Sequence, residues 1–281
     1  MRKTKIICTL GPASINEETI KKMLKEGMDV ARVNFSHGDR EEHGKTIDLF
    51  RKVRDGLEMS AAVMLDTKGP EYRIRTFEKG KVTLTDGADF TFTTRDVPGD
   101  EHIVSVSYSG LPENLHVGDT ILVNNGLVSF CVTAIEGTEI RCHVTAGGEL
   151  SDRKSMSFPG KVLDHAYLSE QDKEDLLFGI ENGVDFVAAS FISRRQDVLD
   201  LKTFLAEHGG AGIDVIAKIE NRSGVDNIDE ICEACEGIMI GRGDLGVEVP
   251  FTELPAIQKF LITKCRLLGK RVITATEMLE S

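Results

Sequence analysis

The sequence predicts an α/β protein, a TIM (β/α)8-type barrel that is apparently truncated after strand seven and carries an inserted all-β lid domain. Three observations lead there. Short apolar, β-branched runs alternate with amphipathic helical runs at both ends of the chain. Between about residues 71 and 160 this rhythm gives way to short runs alternating with a period of two. Polar residues then collect where successive strands run out, the end of an α/β barrel that carries its chemistry.

Taken in order, TKIICTL (4–10) reads as the first strand. Ser14 and Glu17 suggest a capping box for a helix ending at Gly27. MDVARVNF is the second strand, followed by the loop SHGD and a helix from about Arg40 to Asp55. AAVMLDT is the third strand, so the first part of the barrel occupies residues 1–70. The stretch 71–160 contains no convincing helix, and Asn125-Gly126 signals a hairpin turn, so it is assigned to the lid. Residues 161–281 resume the barrel. SEQDKEDLLFGIENG is a capped helix closed by Gly183, VDFVAASF is strand four, and Ser193 with Gln196 caps the next helix. DVIAKIE and GIMIG are strands five and six, 252–268 is a helix, and RVITAT is strand seven. Without the insert about 190 residues remain, where a closed barrel needs 200 or more, so an eighth unit is expected to be missing.

Charged residues make up 28% and hydrophobic residues 41%, which fits a soluble globular chain with a core. The net charge of −12 and the lack of any Lys/Arg tract argue against nucleic acid, and an anionic ligand would need a locally positive pocket. No secretory leader or 18-residue apolar stretch is evident, so no membrane partner is expected and a cytoplasmic location is. The cysteines at 8, 131, 142, 232, 235 and 265 fit a reduced compartment. Cys232 and Cys235 form CxxC without a second pair or a nearby histidine, and share helical spacing with Ile228 and Ile231, which predicts buried thiols.

The chemistry concentrates in residues 214–246. Lys218 and Glu220 lie two apart at the end of one strand and share a face, and Asp244 follows Gly243 at the end of the next. One ammonium and two carboxylates suggest a cationic group beside a hard divalent metal, Mg²⁺ or Mn²⁺. Strand two ends with Arg32, Asn34 and Ser36 on alternating positions, then His37; strand three ends in Asp66, Thr67, Lys68 and Arg73. GRGDLG matches a dinucleotide fingerprint, but Pro250 and Pro255 follow too soon for a long helix, and no acid lies between Leu254 and Thr276. Its glycines fit close approach of backbone N–H groups to an anion better. GDREEHGKT has one residue too many for a P-loop, so Lys45 reads as a solvated helix lysine.

These stretches carry a family resemblance. KTKIICTLGPAS, ARVNFSHG, MLDTKGPEYRIR, VDFVAASFI, IAKIEN, GIMIGRGDLGVEVP and VITATEMLES closely resemble pyruvate kinase, over essentially all 281 residues. The resemblance implies transfer of a phosphoryl group from phosphoenolpyruvate to ADP, giving pyruvate and ATP. It implies Glu220 and Asp244 as holders of Mg²⁺ or Mn²⁺, and Asn34, Ser36, Asp66 and Thr67 as a K⁺ site. It implies substrate contacts from Arg32, Lys218, Gly243, Asp244 and Thr276, with Lys218, Arg32 and Thr276 catalytic. Nucleotide contacts would come from Asn34, Phe35, Ser36, His37, Arg73 and, in the lid, Lys154; Glu71 resembles the K⁺-requiring form of the family. The family's usual parent is a homo-oligomer, a homotetramer. The chain departs from the family at Glu277, where Gln is usual, and at DHAY (164–167), where LPA is frequent. Two other readings stay open: a truncated product that binds ligands without turnover, and a metal-dependent pyruvate aldolase or decarboxylase. The lid insert and the ARVNFSHG/LDTKGPEYR pair argue against the latter.

Overall fold

The computed structural model describes residues 3–275. The first three barrel strands are β1 (Ile7–Thr9), β2 (Val30–Asn34) and β3 (Ala62–Asp66), with α1 (Glu17–Glu26) and α2 (Arg40–Gly56) between them. The lid follows as β4 (Tyr72–Arg73), β5 (Lys81–Leu84), β6 (Asp89–Thr93), β7 (Ile103–Ser105), β8 (Thr120–Val123), β9 (Val128–Glu136), β10 (Glu139–Ala146), β11 (Gly148–Ser151) and β12 (Ser155–Ser157). One short helix, α3 (Leu111–Asn114), interrupts it, where the sequence suggested none; Pro112 in its first turn suits a single turn. The barrel resumes with α4 (Glu170–Glu181), β13 (Phe186–Ala189), α5 (Arg195–Glu207), β14 (Asp214–Ile219), α6 (Arg222–Asp226), α7 (Ile228–Ala234), β15 (Gly237–Gly241), α8 (Arg242–Glu248), α9 (Leu254–Leu268) and β16 (Arg271–Ala275).

The barrel strands form one parallel sheet in the order β1-β2-β3-β13-β14-β15-β16. Strands adjacent in this sheet are consecutive in the barrel part of the chain, with helices crossing over between them, as a β/α barrel requires. The side-chain period of two sorts each strand between two cores. Val30, Met64, Ala188, Ile216 and Met239 pack together inside the curl. Their neighbours Ala31, Val33, Val63, Leu65, Val187, Val215, Ala217, Ile219, Ile238 and Ile240 pack outward with the helices. The lid buries a separate core of its own, centred on Phe90, Phe92 and Phe130.

Local signals at the helix ends fall partly where expected. Ser169 and Asp172 form a reciprocal capping box on α4, and Gly183 takes the left-handed conformation after it, φ 54. At α1 the cap is Asn16, whose Oδ1 accepts from Thr19 N at 2.9 Å; Ser14 Oγ bonds instead to Gly11. At α5 the Asp197 carboxylate reaches back to the backbone N–H of Ser193 and Arg194, while Gln196 pairs with Asp200 one turn on. An amide or carboxylate nearer the first turn displaces the expected hydroxyl in both cases. All six cysteines are free; Cys232, Cys235 and Cys265 are fully buried between α7 and α9. Lys45 pairs with Glu41 on the exposed face of α2, as a helix lysine.

Candidate active site

The inward period that fills the barrel with Ile216 brings Lys218 and Glu220 next along the same face, at the C-terminal end of β14. The same count on β2 after Val30 gives Arg32 and Asn34, and on β3 after Met64 gives Asp66. On β13, after Ala188, it gives Ser190, and on β1, after Ile7, Thr9. These residues meet on one rim. Asp66 is wholly buried and bridges two cations: Arg32 Nε donates to Oδ2 at 2.6 Å and Lys218 Nζ to Oδ1 at 3.0 Å. Arg32 also donates to Thr9 Oγ1 at 2.7 Å. Lys218 Nζ further contacts Glu220 Oε1 at 3.0 Å and Ser190 Oγ at 2.7 Å. The other oxygen of Glu220 accepts the Phe191 N–H at 3.0 Å. Gly241 of β15 stands so close that a Cβ there would lie 2.6 Å from Glu220 Oε1, so a side chain is excluded where the carboxylate leans over.

Burial and charge pull these groups in opposite directions. Desolvation depresses Lys218, but Glu220 and Asp66 outweigh it and its pKa rises, so the ammonium stays charged. Desolvation raises Glu220 against the pull of Lys218, and the charges of Asp244 and Asp66 raise it further. Asp244, in the first turn of α8 and lining the cleft, is also raised, by desolvation first and then by the charges of Glu71 and Asp66, against Lys218. Two carboxylates, Glu220 and Asp244, are thus held above their ordinary range beside the Lys218 ammonium. Among the described residues no group of three or more His, Cys, Asp or Glu side chains gathers as a metal cage. A pair of carboxylates with room for water and phosphate oxygens suits Mg²⁺ or Mn²⁺ nonetheless.

The rim is the floor of a cleft of about 1020 Å³ that the lid roofs. Seven Lys or Arg residues line it, including Lys68, Arg73, Lys154 and Arg194, against five Asp or Glu, so it is locally positive in an acidic chain. Asn34, Ser36 and His37 line the cleft, and Asn34 Oδ1 accepts the Ser36 N–H at 3.1 Å. Phe35 turns the other way, into the outer core, and stacks on His43 at 4.1 Å, so only its backbone faces the loop. Thr67 is buried beside the rim, its Oγ1 accepting the Ser190 N–H at 3.1 Å. Gly243 is exposed on α8, with nothing within 4 Å of a Cβ there. Arg73 lies at the lid edge, paired with Glu71 and donating to Arg153 O at 2.6 Å. Thr276 and Glu277 lie outside the described residues.

Three participants were not singled out from sequence. Ser190 and Thr9 carried a usable signal, since both follow the inward period to a strand end. Tyr167, whose hydroxyl donates to Ser190 O at 2.7 Å, carried none.

A lidded β/α barrel with an ammonium, a guanidinium and metal-grade carboxylates at its strand ends is the architecture of a phosphate-handling barrel. The comparisons agree with that class. The barrel-domain model of pyruvate kinase matches residues 1–281. The chain is 48% identical to the pyruvate kinase of Bacillus licheniformis, over all of this chain and 48% of that protein. It is 45% identical to that of Clostridium perfringens, over all of this chain and 60% of that protein. A crystal structure of a pyruvate kinase from Cryptosporidium parvum superposes with a TM-score of 0.95 at 39% identity, covering 99% of this chain and 58% of that one. The chain belongs to the pyruvate kinase family. It spans about half the length of the curated Bacillus licheniformis and Geobacillus stearothermophilus relatives. Among the described residues no helix is long and apolar enough to cross a membrane.

Proposed function

We propose that the protein containing this chain transfers the phosphoryl group of phosphoenolpyruvate to ADP, yielding pyruvate and ATP in the cytoplasm, with Mg²⁺ (or Mn²⁺) and K⁺. The observation that carries the reading is the unbroken chain Arg32–Asp66–Lys218–Glu220 on the floor of a positive cleft. Phosphoryl transfer asks a protein mainly for positioning and for charge placed against the moving group. Lys218 supplies that charge, and Asp66 fixes its direction from below. Arg32, held by Asp66 and Thr9, faces the same cleft and suits the substrate's anionic oxygens.

Glu220 and Asp244 would hold the divalent ion, which when bound supplies Lewis-acid polarisation of phosphate and carboxylate oxygens. Asn34, Ser36, Asp66 and Thr67 offer hard oxygens suited to K⁺. Arg73 and Lys154 would reach the nucleotide phosphates from the lid, beside the Asn34–His37 loop. The enolate left by transfer takes a proton at carbon, and Thr276 is proposed to deliver it through water, since a hydroxyl alone is too weak an acid. The parent is proposed to be a homo-oligomer, a homotetramer. The test is a coupled assay of the full-length protein with Mg²⁺ and K⁺. ADP-dependent pyruvate formation is expected; pyruvate release without ADP, or none, overturns the reading.

A further inference from the structure

Phe191 is a bulky residue in the left-handed region, φ 56, a conformation that persists in such a residue only where its surroundings hold it, and that marks functional sites. The surroundings here grip both polar atoms of the Ser190–Phe191 peptide. Its N–H donates to Glu220 Oε2 at 3.0 Å, and its C=O accepts from the Tyr167 hydroxyl at 2.7 Å. The Ser190 side chain is fixed as well: its Oγ accepts from Lys218 Nζ at 2.7 Å and donates to Thr67 O at 2.6 Å. Gly69, φ 69, packs against it so tightly that a Cβ would lie 2.9 Å from Ser190 O. One peptide therefore carries a hydrogen bond to the acid on the metal side of the site and, one residue back, a hydrogen bond to the ammonium. Turning it would disturb both.

We propose that Tyr167 is a positioning residue whose hydroxyl locks the Ser190–Phe191 peptide, so that Phe191 N–H orients Glu220 toward a divalent ion and Ser190 orients Lys218. The role deepens the phosphoryl-transfer reading and rests on it for the identity of the ligands. Tyr167 lines the cleft only at its buried edge and is 5% exposed, so its hydroxyl reaches the peptide and no bulk water competes for the Ser190 carbonyl. Burial also pushes the phenol well above its ordinary pKa, which keeps the hydroxyl a donor.

The test compares full-length wild type with Tyr167→Phe, which keeps the ring and removes the donor. Mn²⁺ binding is titrated by electron paramagnetic resonance without substrates, well below each protein's melting midpoint, and the Phe191 amide is followed by NMR after ¹⁵N-phenylalanine labelling. Ser105→Ala, which removes an equally buried hydroxyl from the lid, serves as the control. The expected result is a roughly two- to tenfold loss of Mn²⁺ affinity in Tyr167→Phe with a displaced Phe191 amide, and neither change in Ser105→Ala. An unmoved amide with unchanged affinity, or equal losses in both variants, overturns the proposal. Failure of wild type to form pyruvate would sink the functional reading alone, because neither readout uses turnover; were wild type to bind no Mn²⁺, the amide decides.

Discussion

The barrel rim and the lid handle the same side chains in opposite ways. In the lid, Glu139 accepts from Arg95 Nε at 2.8 Å, Thr93 Oγ1 at 2.7 Å and Thr138 Oγ1 at 3.0 Å. The Arg95 bond leads in lowering its pKa, against desolvation. On the rim, Glu220 is buried, shares one ammonium with Asp66, and has Asp244 nearby; desolvation leads in raising its pKa. In the lid, Glu139 is satisfied locally. On the rim, Asp66 is paired with Arg32 and Lys218, whereas Glu220 and Asp244 are both raised and crowd one ammonium, an arrangement that suits a cation. Charge serves structure at Glu139 and, on the proposed reading, ligand binding at Glu220.

The largest effect that would sharpen this contrast is at Lys218. In the full-length protein Lys218→Met should slow pyruvate formation by about 10²–10³ or more in the coupled assay. A rate within a few-fold of wild type would mean that the rim's one buried ammonium does not face the reaction.

Next comes Gly241→Ala. The new methyl would press on Glu220 at 2.6 Å, so thermal or denaturant unfolding should show a loss of about 1–3 kcal/mol. Gly137→Ala in the lid meets no atom within 4 Å and carries only left-handed strain at φ 59, about 1 kcal/mol. Equal losses would erase the distinction between a crowded rim and an open hairpin.

Acid should separate the regions by sign. A folded-state pKa raised above the ordinary 4.5, as at Glu220, means that ionisation weighs against the fold; its contribution grows as pH falls toward and through that raised value. A lowered one, as at Glu139, gives stability that is present above 4.5 and is lost as pH falls through the depressed value. Melting curves against pH should therefore show Glu220→Gln removing an acid-side gain and Glu139→Gln removing an acid-side loss. The same sign at both positions would break the comparison. The smallest effect is expected at Lys81→Ala, which breaks an exposed lid pair with Glu149: below about 0.5 kcal/mol in the same melts.

Much of the fold was legible because periodicity carries it. The seven parallel strands, their order and the β-rich interruption follow from where a period of 3.6 gives way to a period of two. The rim was legible where a polar residue ends an apolar strand: Arg32, Asp66, Lys218 and Glu220 converge because inward positions on neighbouring parallel strands stack in register. Ser190 and Thr9 obey the same rule and were overlooked because a hydroxyl at a strand end is a common residue with no charge to draw notice. Tyr167 was illegible, since its place depends on how the chain returns from the lid, a long-range feature with no local period. The helix caps at Asn16 and Asp197 were misread because several acceptors compete within one turn, and geometry chooses among them.

The central claim is that Glu220 on the rim serves to bind a divalent cation and Glu139 in the lid does not. A Mn²⁺ titration of the full-length protein, comparing wild type with Glu220→Gln and Glu139→Gln, tests it most directly. Loss of affinity on the order of tenfold or more at Glu220→Gln, with Glu139→Gln matching wild type, is the outcome this account requires. Indistinguishable affinities across all three proteins would contradict it.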